Sequence, residues 1–537
     1  MQKRSPGFTV SLHVAIALLV GIVLGSIIQT QANLAALSTM GVEVSAFRRV
    51  MTTLWDLVTF SPIYALLFSI GFIVSQGAAL LISQLALAGR YRLLLCPLLA
   101  IIALFLTFHL VDHFAPMPTL VAATRTSLGF VAMLSSAGAA GLTLALLRGR
   151  GRHHAHRGAS ATTAAVALMA VGMASTAPPQ AHAQDQAEEP ASVDYRLEIV
   201  AEGLEHPWSL AFLPGGDMLV TERPGRLRRI TPGEESVAID NAPAVFASKQ
   251  SGLFDVLLSN DFAQNETLYL SYACGDLTAN HTCLARARLV DNALQNVEEI
   301  FRVAPAKRGA AHFGGRLAWL PDDTLILTLG DGFDYREQAQ NNDNHIGTIV
   351  RLNRDGSAPQ DNPFMGEDST RPEIYSLGHR NVQGLVVDGE GRVIIHEHGP
   401  RGGDEINIIE PGANYGWPIA THGLDYTGAR VTPFTEYPGT MPPLLDWTPS
   451  IAPSGMTRYD GELFPEWQGD LLIGSLVDRE VRRVTLNDDL TQAEDVEGLF
   501  GELEERIRDV RTGPDGALYL LTDSPEGRLI RVVRGNG

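Results

Sequence analysis

Two residues at the ends of one short stretch, AHFGGRLAWLPDDTLILTLGDG (residues 311–332), have the types and spacing for proton transfer. His312 sits in a turn before Gly314 and Gly315, and Asp331 lies between Gly330 and Gly332. The residues between them read as strand, Pro-Asp-Asp turn and strand. A hairpin of that kind returns the chain to its starting edge and can set imidazole beside carboxylate. A carboxylate accepting from one imidazole nitrogen fixes the tautomer and leaves the other nitrogen as a base. Taken alone, the pair equally describes a turn histidine and a turn aspartate.

The elements that must position the pair recur along the chain. Strand, Pro/Gly/Asp turn and second apolar strand appear from Trp208, Leu253, Gly315, Asn381, Ser454 and Ile507. Six copies at this spacing predict an all-β six-bladed β-propeller, because a single hairpin cannot bury both faces and radial packing supplies the core. Loops from several blades then gather at one end of a central channel, where a site can be assembled. Cys274 and Cys283 flank a polar loop and are expected to form a disulfide if this part is exported. Cys96 falls in an apolar helix and reads as a packing residue.

Charge divides the chain. Residues 1–183 hold 11 of the 41 basic and 3 of the 60 acidic residues, a net of +8, whereas 184–537 carries −27. So acidic a part would repel nucleic acid, which excludes that partner class. Four apolar stretches, 9–28, 58–84, 93–111 and 127–147, are long enough to cross a bilayer, so an α-helical transmembrane bundle precedes the propeller. Arginines and lysine at Lys3, Arg4, Arg90, Arg92, Arg148, Arg150, Arg152 and Arg157 set both ends of the bundle in the cytoplasm. A basic loop, the shorter apolar run Ala164–Ala177 and Ala181-His182-Ala183 then form a signal-peptide pattern inside the chain. It is either cleaved or kept as a fifth span, and either way delivers the acidic part to the outer side. The expected organisation is a four-helix membrane region at 1–150, a basic loop, signal-like segment and linker at 151–193, and the propeller at 194–537. His13 and His109 lie near opposite ends of their helices and read as interfacial residues, and His153, His154 and His156 as a solvated loop.

Over about 195–535 the chain resembles the soluble glucose/sorbosone dehydrogenase family, the aldose sugar dehydrogenases that use pyrroloquinoline quinone (PQQ). The membrane bundle resembles no family we recognise. The resemblance implies that His312 is the catalytic base and Asp331 the residue orienting it. In LGHRNVQGL it places Arg380 and Asn381 at the quinone's reactive carbonyl. In HGPRGGDEIN it gives Gly399 and Pro400 to backbone coordination of a calcium ion bridging protein and PQQ. Glu405, with Tyr415 in ANYGWP, matches residues linked to a second, structural calcium. Arg506 and Arg508 in RIRDV resemble a pair that grips PQQ carboxylates, and Gln250 matches a cofactor-contacting glutamine. These residue types suit a planar tricarboxylate and a hard cation. One departure stands out: where the family commonly has a lysine against PQQ, this chain has Val477, with Arg479 and Arg482 nearby as substitutes.

The resemblance implies a PQQ- and calcium-dependent oxidoreductase that takes hydride from C1 of an aldose or related alcohol or aldehyde. It would be tethered to the inner membrane with its catalytic domain in the periplasm, and would pass electrons to a quinone or cytochrome. Two alternatives share the architecture: a calcium-dependent lactonase-type hydrolase, and a propeller that binds without turnover.

Overall fold

The computed structural model describes residues 6–85, 91–114, 119–150 and 193–535. The signal-like segment, the histidine cluster at 153–156 and most of the flanking basic residues lie outside these. The chain divides into two units. One comprises Met1–Leu24, Ala65–Thr107 and Leu134–Asp194, and the other Gly25–Tyr64, Phe108–Met133 and Tyr195–Gly537.

Among the described residues, five α-helices precede the strands: α1 (Pro6–Thr39), α2 (Ala46–Thr59), α3 (Ser61–Leu85), α4 (Arg92–Phe114) and α5 (Ser127–Arg150). All but α2 are long and apolar enough to cross a membrane. Helix α1 runs well past the expected end at residue 28. Its 34 residues make a rod of about 51 Å, where a bilayer core needs roughly 30 Å. The C-terminal half of the helix carries Ser26, Gln29, Thr30 and Asn33, a polar stripe at helical spacing, and all four are buried. Helix α2 was not expected from apolar length. Ser45 caps it by accepting from the Arg48 amide. It buries Thr52 and Asp56 while exposing Phe47, Val50, Leu54 and Val58.

The remaining described chain is a six-bladed propeller of four-stranded antiparallel sheets. The first blade is β2–β5 (Pro207–Phe212, Met218–Glu222, Arg226–Ile230, Val237–Ile239), after β1 (Tyr195–Leu204). The second is β6–β9 (Leu253–Leu258, Thr267–Gly275, Asn280–Val290, Ala293–Arg302) and the third β10–β13 (Gly314–Trp319, Leu325–Leu329, Thr348–Leu352, Ile374–Leu377). The fourth is β14–β17 (Val382–Val387, Val393–Glu397, Asp404–Ile409, Leu445–Trp447). The fifth is β18–β21 (Pro453–Arg458, Leu471–Ser475, Val481–Leu486, Ala493–Leu499). The last holds β22–β24 (Ile507–Thr512, Leu518–Thr522, Gly527–Arg534), and β1 completes it by pairing with β24, Tyr195 opposite Arg534. Both ends of the propeller thus meet in one blade, closing the ring.

The six sequence copies coincide with the first two strands of each blade. Second strands such as LILTL, VIIHE and LLIGS are buried at every residue, which is why they read as apolar runs. The core lies between blades: Leu219 and Leu227 pack with Leu268 and Ala285, and Leu284 with Leu327 and Val350. Cys274 and Cys283 are joined, bridging the paired strands β7 and β8.

Candidate active site

Each innermost strand begins with a slip in its ladder. The shifts fall between Pro207 and Ser209, Leu253 and Val256, Gly314 and Leu317, Val382 and Gly384, Pro453 and Met456, and Ile507 and Asp509. Such irregularities re-aim side chains at a barrel or propeller rim. The residues at these six slips, with those following each second strand, surround the mouth of the central channel.

His312 stands before the slip in the third blade with φ 50°, a conformation that a non-glycine residue adopts at a cost. Gly314 and Gly330 allow it, since a side chain at either would lie about 2.5 Å from neighbouring backbone, at Thr328 and His312 respectively. The imidazole Nδ1–H donates to Asp331 Oδ1 at 2.6 Å, so Nε2 is the atom left to accept a proton. Asp331 Oδ1 also takes the Phe333 amide at 2.7 Å, and its other oxygen takes the Trp417 indole N–H at 2.8 Å. The His312 amide donates to Gln250 Oε1 at 2.9 Å. Burial pushes the His312 imidazole down to about 4, with Arg380 acting in the same direction against the pull of Asp331. Burial alone would raise Asp331, but His312 and Arg380 outweigh it and hold the carboxyl below its usual range. The pair is therefore a neutral imidazole oriented by a carboxylate.

Arg380 and Asn381 reach the same place from the fourth blade. The Asp331 amide donates to the Arg380 carbonyl, and Asn381 Oδ1 accepts from the Gly314 amide. The Arg380 guanidinium lies against Phe333 and Trp417 and donates to the carbonyls of His398 (3.1 Å) and Gly399 (2.5 Å). A cationic group already rests on these carbonyls, so this cradle suits positive charge. Pro400 lines the space in front of Arg380.

Glu405 is half-buried in the same blade beside the buried Glu397, and desolvation followed by Glu397 raises its carboxyl well above the ordinary range. A largely desolvated carboxylate pair of this kind is one that a divalent cation would neutralise. Tyr415 stacks on His379, and its hydroxyl is taken up by the Ile408 carbonyl and the Glu410 amide. Its main chain, and not its phenol, is what it could offer a cation.

Arg506 and Arg508 line a cavity of about 270 Å³ together with Gln250, Asn381, Trp208 and Arg223. Arg508 pairs with Asp523 at 2.8 Å, and Arg506 and Arg223 flank the same carboxylate at 3.4 and 3.8 Å. Burial opposes ionisation of Asp523, but the three arginines hold it well below the carboxylate range. Three guanidiniums against one carboxylate leave the cavity positive, which fits an anionic ligand bearing several carboxylates.

Val477 is largely exposed beside Leu476, whose carbonyl accepts from Arg506. Arg482 is bound to Glu480 and Asp495, and Arg479 reaches the Glu504 carbonyl. Neither stands among the residues lining the cavity, and the further cation there is Arg223.

Sequence reasoning missed Arg223, His398, Asp523 and Lys307. The first three follow directly on the second strands of their blades, as Asp331 does one residue later. Superposing the six repeats on that position would have exposed them. Lys307 is buried over the Phe313 ring, donates to the Ala311 carbonyl at 2.9 Å, and is pushed down to about 7 by burial against the pull of Asp331. Its signal was rarity, as one of three lysines in the chain.

The family pattern described as Glucose / Sorbosone dehydrogenase matches residues 204–531. The aldose sugar dehydrogenase YliI of Escherichia coli is 42% identical over 355 residues, spanning 65% of this chain and 94% of that one. Among solved structures, the apo form of the soluble Escherichia coli aldose sugar dehydrogenase superposes with a TM-score of 0.62 at 40% identity, over 64% of this chain and all of the other. The PQQ-bound aldose sugar dehydrogenase of Streptomyces coelicolor gives 0.53 at 28% identity, over 64% and 99%.

Proposed function

The chain belongs to the glucose/sorbosone dehydrogenase family, and from that premise we propose that it oxidises an aldose sugar at C1 with PQQ and calcium. The observation that carries the reading is the buried His312–Asp331 pair, whose neighbours Gln250, Phe313 and Gly314 line an arginine-rich cavity. Arg506, Arg508 and Arg223 would hold the cofactor's carboxylates, with Gln250 and Asn381 on the same walls. The carbonyls of Gly399 and Pro400 would hold the catalytic calcium, and Glu405 with the Tyr415 main chain a structural one. When bound, the quinone supplies a hydride acceptor polarised by calcium.

The protein's part is proton transfer and electrostatics. His312 Nε2 takes the proton of the C1 hydroxyl. Asp331 keeps the opposite nitrogen protonated and stabilises the imidazolium that forms. Arg380 supports negative charge developing on the acceptor side. Residues 194–537 are the enzyme in this reading, tethered through 151–193 to the membrane region 1–150. The catalytic domain then faces the periplasm, and a quinone or cytochrome takes the electrons.

The test is a PQQ titration of the full chain with calcium, followed by dye reduction on adding glucose. Reduction requiring both PQQ and calcium is expected. Lactone hydrolysis with calcium alone, or sugar binding without turnover, would sink this reading in favour of a hydrolase or a binding protein.

A further inference from the structure

With φ at 50°, His312 holds a backbone conformation that persists only where its neighbours fix it. The angle describes how the peptide shared with Ala311 is turned against the imidazole-bearing carbon. Whatever grips that peptide therefore aims the imidazole. Both of its polar ends are gripped. The His312 amide donates to Gln250 Oε1 at 2.9 Å, and the Ala311 carbonyl accepts from Lys307 Nζ at 2.9 Å. The next peptide is held from the Asp331 side, where the Gly332 amide donates to the His312 carbonyl at 3.3 Å.

A lysine is a costly group to place there. Lys307 is 5% exposed, and an ammonium leaves water at a penalty unless partners replace it. Its partners stand on either side of the base: the Ala311 carbonyl, and the Phe313 ring, whose centroid lies 3.4 Å from Nζ. Its main chain is locked to Asn280, at the start of β8, by two bonds of 2.9 Å, so the side chain projects from a fixed point. The stem packs beside Gly332, where a Cβ would lie 2.6 Å from Lys307 Cδ. One side chain thus reaches both turns of the catalytic pair. An apolar stem such as methionine would fill the same space, but only a donor can bond the Ala311 carbonyl. An amine donates in its neutral form as in its charged one, so a group held near 7 keeps that bond across neutral pH.

We propose that Lys307 is a positioning residue for the base: by bonding the Ala311 carbonyl it fixes the peptide before His312 and so directs Nε2 at the reacting hydroxyl. Gln250 does the same from the opposite end of that peptide. The proposal rests on the reading of His312 as the base.

The test compares single-turnover reduction of bound PQQ by glucose in the full chain, loaded with PQQ and calcium, for wild type, Lys307→Met and Lys307→Gln. Methionine keeps the stem and removes the donor. It should slow the step by about tenfold to a hundredfold, the scale for a reacting group displaced by up to about 1 Å. Glutamine restores a donor on a shorter stem and should recover part of the rate. In a His312→Ala background Lys307→Met should cost nothing further, because a residue acting through the base has nothing left to position. A wild-type rate in Lys307→Met, or an equal loss in the two backgrounds, overturns the proposal. Hydrogen exchange at the His312 amide gives a readout without turnover, expected faster in Lys307→Met and slower again in Lys307→Gln. If the wild type reduces no PQQ with glucose, the redox reading fails. Exchange then decides the role of Lys307 alone, and an unchanged rate in Lys307→Met overturns it.

Discussion

At the scale of single residues, His312 carries the sharpest expectations. Replacing it by alanine should slow single-turnover reduction of bound PQQ by an aldose about 10²- to 10⁴-fold, the usual contribution of a general base. Cofactor retention should survive, because the arginines lie across the cavity. An optical stopped-flow record at the wild-type rate would move the base elsewhere. Asp331→Asn should also slow the step through the wrong tautomer, and the double variant should cost little beyond His312→Ala. The pH dependence follows from the same burial. Native His312 titrates at about 4, below its ordinary value, so the base stays competent well into acid. The acid limb of kcat/KM should therefore fall near pH 4, not near 6.5. Its linkage runs the same way: above the ordinary histidine value both native and unfolded imidazoles are neutral. As pH falls toward 4 only the unfolded one binds a proton, so this contribution to stability is present at neutral pH and lost on acidification. Melting temperature measured against pH should decline over that window in the wild type and less so in His312→Ala. At the cofactor wall, Arg223→Ala should weaken PQQ binding by about tenfold or more, the loss of one charge-assisted contact, read by equilibrium titration. Val477→Lys should tighten binding, and no change would mean that Arg223 already supplies that charge.

At the scale of elements, the slips at the starts of the inner strands decide which side chains reach the channel, and they follow from blade geometry more than from any one residue. The disulfide between Cys274 and Cys283 is an element-level staple outside the site. Replacing both cysteines by serine should lower stability by about 2–3 kcal/mol, the loop-closure value for so short a loop. Denaturant unfolding would measure the loss, and kcat should be unaffected. The C-terminal half of α1 behaves differently. Its stripe Ser26, Gln29, Thr30 and Asn33 was invisible as a docking face because the surrounding sequence is apolar enough to read simply as the end of a span. Asn33→Leu would leave the Arg336 guanidinium, buried in the structure and bonded to Asn33, without one acceptor, a cost of about 1–3 kcal/mol. Faster amide exchange over residues 333–340 in that variant is the expected signature.

At the scale of the whole molecule, an acidic propeller stands behind four helices long and apolar enough to cross a membrane. In the proposed orientation, argued from loop charge, the propeller lies outside, so a reporter fused after residue 190 should be active only in the periplasm. Activity of a cytoplasmic reporter at that point would refute the orientation. Asn33 of α1 is bonded to propeller loops at Arg336 and Arg430, and the turn Ala122–Arg125 lies against Phe333, Trp417 and Arg380.

What the sequence determined by itself was local in origin. Second strands buried on both faces must be apolar throughout, so six copies of turn-separated apolar runs announced the propeller. The His312–Asp331 contact needed only a hairpin, and Arg380, Gly399, Arg506 and Arg508 could be named through the family resemblance that their motifs carry. Only the tertiary structure decided the rest. Pairing of β1 with β24 joins strands more than 300 residues apart, which no local period records. Arg223 became a cofactor-wall candidate only once ring closure set the first blade beside the last, while Arg482, nearer in sequence to Val477, turned out to be held by Glu480 and Asp495. Buried polar groups must find partners, and Asn33 of α1 finds them on loops hundreds of residues away.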